Sequence, residues 1–173
     1  MKQLTLLALL HLCFTSFGQD ATKEETVDWL KSRLDYNKQW NEKTYEKLEI
    51  VRYDYKNDTL YYKVQYTWGK DDGGYRIESI PMRDINANRM SIVRKIGDEG
   101  DLAIELYTNY GKESIREYIK GWATDKGMYL NRDNTEICFP KALLESEGYD
   151  LPERVLKALK HLIEKAGSKG EKF

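Results

Sequence analysis

The sequence predicts a mainly β domain with flanking helices, in the α+β class. Three observations predict it. Apolar residues recur with a period of two through the middle of the chain, from Leu48 to Phe139. That stretch is bracketed by two segments with helical spacing, and no long helical crossover of the kind parallel strands require lies between its strands. A curved antiparallel sheet or small barrel with a helix over its open end would give the last apolar stripe a place to pack.

The first helical segment is Thr22 to Leu34. Thr22 stands three residues before Glu25, the capping-box spacing in which both side chains satisfy first-turn amides. Val27, Leu30 and Leu34 then recur on one face, with Trp29 beside them. Tyr36, Trp40 and Tyr45 read as a polar, poorly periodic connection. From Leu48 to Tyr55 the period is two, Lys56-Asn57-Asp58-Thr59 has turn composition, and Leu60 to Trp68 alternates on the return. On that return strand Leu60, Tyr62, Val64, Tyr66 and Trp68 share a face. Tyr75 to Pro81 is a third strand, continued along a sheet edge by Met82 to Ile85, since a proline costs least at an edge. Met90 to Ile96, Leu102 to Thr108 and Thr135 to Phe139 complete six or seven strands. Residues 111–134 are irregular, and a broken strand and a short helix both fit them. At the end, Asp150 caps a helix that carries Pro152 in its first turn and Val155, Leu156, Leu159, Leu162 and Ile163 on one stripe. Gly167 stops it in the left-handed position.

The segment before these elements has its own pattern. Lys2 precedes an apolar run from Leu4 to Leu12, followed by Thr15-Ser16-Phe17-Gly18-Gln19. A basic start, a short apolar centre and a small-residue exit predict a signal peptide over 1–19 that is cleaved, and hence a periplasmic or secreted product. The run is shorter than the roughly 20 residues a membrane-spanning helix needs, so no integral span is expected. Leu12 is a poor residue to precede a lipidated cysteine, which argues against a lipid anchor at Cys13. The expected organisation is a single globular domain over 20–167 and a flexible tail over 168–173.

Loss of the leader removes Cys13 and His11 and leaves one cysteine, Cys138, and one histidine, His161. No internal disulfide can then form, and a zinc site would need two carboxylates to complete it. Neither a metal nor another cofactor is expected. His161 reads as a helix-boundary residue, and Cys138, between Ile137 and Phe139, as a small buried hydrophobe. The net charge is −1, and lysines and acids are interspersed along the chain. No basic stripe suited to a phosphate backbone is visible, so nucleic acid is not an expected partner. The Gly-rich phosphate loops, His-Glu-x-x-His and Gly-x-Ser-x-Gly are absent.

The opening helix after the Phe17-Gly18-Gln19 exit, together with Glu153 to Ile163, resembles small uncharacterised exported proteins of Bacteroidetes-type bacteria, which are similar in outline to the pleckstrin-homology-like fold. That resemblance implies a strongly bent antiparallel barrel capped by a C-terminal helix. It brings no catalytic residues.

Three functions from different classes remain. The leading one is a non-enzymatic binding or interaction module of the cell envelope, with an envelope protein or glycan as partner. Its candidate ligand-binding residues are Tyr62, Tyr66 and Trp68, a recognition patch if exposed and core if not. A small exported hydrolase would need a desolvated carboxylate, with Asp54, Asp71, Asp72 and Glu78 as candidates. Asp58, Asp98, Glu99 and Asp101 are further loop acids, and the loop acids lack the spacing of an EF-hand. The third function is an assembly protein that pairs through a sheet edge.

Overall fold

A computed structural model of the protein describes residues 21–41, 44–67, 73–95, 100–121 and 124–167. The predicted leader, the tail, Trp68, Asp71, Asp72, Asp98 and Glu99 lie outside the described residues. Helix α1 (Lys23–Arg33) leads into four successive antiparallel strands, β1 (Tyr36–Asn41), β2 (Thr44–Asp54), β3 (Thr59–Thr67) and β4 (Gly74–Pro81). The chain then makes two short 3₁₀ turns, Met82–Asp84 and Ala87–Arg89. It forms β5 (Ser91–Arg94) and β6 (Leu102–Tyr107), and returns through β7 (Ile115–Gly121) and β8 (Thr124–Arg132). Strand β9 (Asn134–Phe139) and helices α2 (Lys141–Glu147) and α3 (Leu151–Lys165) follow.

The strands form two open antiparallel sheets, one of six strands in the order β1-β2-β3-β4-β7-β8 and one of three in the order β5-β6-β9. This corrects the expected pleckstrin-homology-like barrel: the described residues form a mixed domain of three α-helices and two open sheets, and among them no strand pairing closes either sheet. The physical reason lies after β4. Pro81 has no amide with which to pair a further strand, the amide of Met82 makes the last β3–β4 bond, to the carbonyl of Asp58 at 2.8 Å, and the 3₁₀ turns then carry the chain out of the large sheet. The expected edge-strand continuation over Met82 to Ile85 is therefore replaced by a turn. The chain crosses back at Asp133, the single residue between β8 and β9.

Both end helices follow from their sequences. The Thr22 hydroxyl accepts from the Glu25 amide at 3.1 Å, and the Glu25 carboxylate accepts from the Thr22 amide at 2.8 Å, so the capping box is complete. Asp150 stands at the start of α3 but makes no side-chain cap; its carboxylate pairs with Arg154 at 3.1 Å. Gly167, at φ 75°, ends α3 in the left-handed conformation that costs glycine nothing. Helix α3 does not plug a barrel. It packs against α1, β5, β6 and the turn at Met82–Asp84, and α1 packs on β2.

Leu159, Leu162 and Val155 of α3, Leu30 of α1 and Leu34 just after it, Leu60, Tyr62 and Ile80 of the large sheet, and Ile104 and Phe139 of the small one belong to a single core cluster. One irregularity tunes the large sheet. The register of β2 shifts between Ile50 and Arg52, so Val51 is extra, and Ile50 and Tyr53 are both buried although they are three residues apart.

Leu159 is wholly buried on the stripe shared by α1 and the small sheet. Leu159→Ala is expected to lower unfolding free energy by about 2–5 kcal/mol in chemical denaturation; a loss of under about 1 kcal/mol would mean that this stripe is not a core contact.

Candidate functional site

Side chains of a strand alternate between faces, so the register of the large sheet sorts every residue into an inner and an outer set. Inner residues point to the core. Tyr62, opposite Ile50 on β2 and Glu78 on β4, is fully buried. Its burial corrects the expected recognition patch at that position, since Tyr62 is a core residue. Tyr66 pairs with Gly74 and shares that face by register. The side chain of Tyr66 and all of Trp68 lie outside what is described.

A second set of tyrosines is on the other face. Residues 75, 77 and 79 of β4 pair with Gln65, Lys63 and Tyr61 of β3 on one side and with Lys120, Tyr118 and Arg116 of β7 on the other. Tyr118 in turn pairs with Tyr129 of β8, which is 68% exposed. None of these side chains is buried. The rings of Tyr75 and Tyr118 lie 6.0 Å apart and those of Tyr118 and Tyr129 4.8 Å apart, forming a row across three adjacent strands. Such tilted contacts between ring neighbours stabilise the row, by about 0.5–1.5 kcal/mol each. Gly127 leaves the space the row requires: a β-carbon there would stand 2.5 Å from the Tyr118 hydroxyl.

Cations flank the rings. The Arg52 guanidinium sits 4.0 Å from the centroid of Tyr61, Lys63 5.3 Å from that of Tyr75 and Arg116 5.7 Å from that of Tyr129. These distances fall within cation–π range. This face was not legible beforehand because its members are scattered from Lys47 to Tyr129. Arg116, Tyr118, Lys120 and Tyr129 lie on β7 and β8, in the segment 111–134 that the sequence left between strand and helix.

The acids have different fates. Asp54 accepts from the Asn57 side chain at 2.7 Å and from the amides of Lys56 and Asn57, contacts that hold its carboxyl below the ordinary range and close the β2–β3 turn. Asp58, in the left-handed region at φ 48°, is 1% exposed. Burial pushes its carboxyl up, but Lys23 at 2.5 Å and Arg83 at 2.8 Å outweigh that and hold it low. Asp58 thereby ties α1 and the turn after β4 to the hairpin. Asp101 accepts from the Lys141 amide at 2.7 Å and so caps α2 from a distant loop.

Glu78 is the exception. It stands directly opposite Glu117 on β7, and both are buried on the inner face. Arg76 approaches Glu78 at 3.3 Å, Arg132 approaches Glu117 at 2.5 Å, and the Thr135 hydroxyl of β9 donates to Glu78. Burial raises the Glu78 carboxyl above its usual range despite Arg76. Like charges opposite each other would oppose pairing of these strands; two arginines and a neutral hydroxyl offset this and join the large sheet to β9.

Among the described residues no three histidine, cysteine or carboxylate side chains converge as metal ligands. His161 lies 2.8 Å from the carbonyl of Ala21 through Nε2, linking α3 to the start of the described chain. Burial pushes the Cys138 thiol up, which makes it a poor nucleophile.

The Glu78 shift has a testable sign. A carboxyl with a folded-state pKa above its unfolded value favours the fold at low pH, and that contribution is lost as pH rises through the folded value. Relative to Glu78→Gln, the wild type is therefore expected to lose stability as pH rises upward from about 4.5. Denaturation of both proteins between pH 4 and 8 measures this, and parallel curves would contradict it. Compared with protein-family models, with curated proteins and with solved structures, the chain has no match in any of the three.

Proposed function

We propose that this protein is a non-enzymatic binding module of the bacterial cell envelope that holds an extended glycan across the outer face of its large sheet. The observation that carries this reading is the row Tyr75, Tyr118 and Tyr129 on adjacent strands, half-buried at Tyr75 and Tyr118 and open to solvent at Tyr129. The face of an aromatic ring is electron-rich, and the weakly positive C–H face of a sugar ring lies on it favourably while sugar hydroxyls remain in water. An open sheet face suits a polymer that lies across several strands better than a small molecule, which needs a concave site. The predicted signal peptide supports a location where such glycans occur. No described helix is long and apolar enough to cross a membrane.

The hydrolase reading has one observation in its favour, the desolvated Glu78 opposite Glu117. Against it, both carboxylates face the core and are engaged by Arg76, Arg132 and Thr135. The pair is better accounted for as a joint between sheets.

Titration calorimetry against a set of envelope polysaccharides tests the binding reading. Tyr118→Ala and Tyr129→Ala are each expected to weaken binding of the best ligand about tenfold, or about 1.4 kcal/mol. Tyr110→Ala, at an exposed site outside the large sheet, should leave it unchanged. Equal affinity of wild type and both face variants would contradict the proposal. Release of reducing ends that is abolished by Glu78→Gln would favour the hydrolase.

A further inference from the structure

We infer that the ligand of the outer sheet face is an acidic glycan, one bearing carboxylate or sulfate groups along its length. This rests on the reading of that face as a glycan platform and adds the charge it selects. The whole chain carries a net charge of −1. The outer face departs sharply from that balance: by register its described side chains include the cations Lys47, Arg52, Lys63, Arg116 and Lys120. The acids among its described side chains are Glu49 and, at the hairpin end, Asp54. Glu49 pairs with Lys47 at 2.7 Å and Lys63 at 3.5 Å, and Asp54 is held by its own turn, so the excess positive charge rests on Arg52, Arg116 and Lys120.

The arrangement of the cations is as informative as their number. One row across the sheet runs Arg52, Tyr61, Ser79, Arg116, Asn131, in which the two arginines stand three strand steps apart, about 14 Å at the usual strand spacing. The neighbouring row runs Glu49, Lys63, Ile77, Tyr118, Tyr129. Arg52, Lys63 and Arg116 lie over tyrosine rings, so a saccharide that approaches this face meets their charges together with the rings. A saccharide lying on the rings then brings a ring carboxylate or sulfate into reach of a cation without drawing it out of solvent. Exposed pairs of this kind are individually worth up to about 1 kcal/mol and are screened by salt. Acidic-ligand binding should therefore weaken steeply with ionic strength. A single-stranded nucleic acid would meet the same chemistry of rings and cations; the predicted export favours the glycan, and the test separates the two.

Polygalacturonate, alginate and chondroitin sulfate, with galactan and dextran as neutral counterparts and a thymidine 20-mer as the nucleic-acid arm, are titrated into the protein at low and physiological salt. The expected result is that an acidic polysaccharide binds at least tenfold more tightly than either neutral one and weakens with salt. Arg52→Gln/Arg116→Gln is expected to remove that preference. Both arginines are solvent-exposed, so the variant should fold, which its unchanged melting temperature would verify. Neutral polysaccharides bound as tightly as acidic ones, with the same sensitivity to Tyr129→Ala, would overturn the acidic class and leave the platform. Tighter binding of the 20-mer than of any glycan would overturn the glycan. Absence of binding in every arm would overturn the platform itself.

Discussion

Burial of one face of the six-stranded sheet is the constraint on which the rest of the structure depends. A sheet has two faces, and among the described residues the helices and the second sheet pack on one of them. Leu30 of α1 and Leu34 just after it, Leu159 and Leu162 of α3, and Ile104 and Phe139 of the small sheet share a core with Leu60, Tyr62 and Ile80 of the large one. The outer face is left to solvent along with its tyrosines and cations. Because the alternation has a period of two, the assignment of Tyr62 to the core fixes Tyr61 and Lys63 outside, and pairing carries that choice to β4, β7 and β8.

Polar contacts then secure the joints where packing alone would not specify geometry. Asp58 gathers Lys23, Arg83 and Tyr53 at one end of the sheet, and Glu78 and Glu117 with their arginines link it to β9 at the other side. Such buried ionic groups add little to stability as complete sets, yet removing one partner is costly. Their value here is in fixing where the two open sheets meet.

Much of the fold was legible because local signals were strong. The capping box at Thr22 and Glu25, the apolar stripe of α3 with Gly167 behind it, and the β2–β3 hairpin are all contained within short windows. Strand β1 was not legible, since Tyr36 to Asn41 is mostly polar and pairs along an edge. Strands β7 and β8 were obscured because their outward positions carry tyrosine as well as charge, and their inward positions carry Glu117 and Arg132, so apolar alternation fails on both faces. A barrel was expected from the resemblance to the pleckstrin-homology-like fold and from the need to pack the last helix's stripe, but whether a sheet closes depends on pairings between residues distant in sequence. The cationic face was hidden for the same reason: its charges form rows across strands, and along the chain they look interspersed.

Hydroxyl-radical footprinting of the tyrosines, with and without a saturating acidic polysaccharide, tests the central claim most directly. The outer-face account predicts that Tyr75, Tyr118 and Tyr129 become protected while Tyr110 and Tyr149, both exposed and outside the sheet, react as before. Unchanged reactivity of the three face tyrosines, or protection confined to Tyr110 and Tyr149, would contradict it.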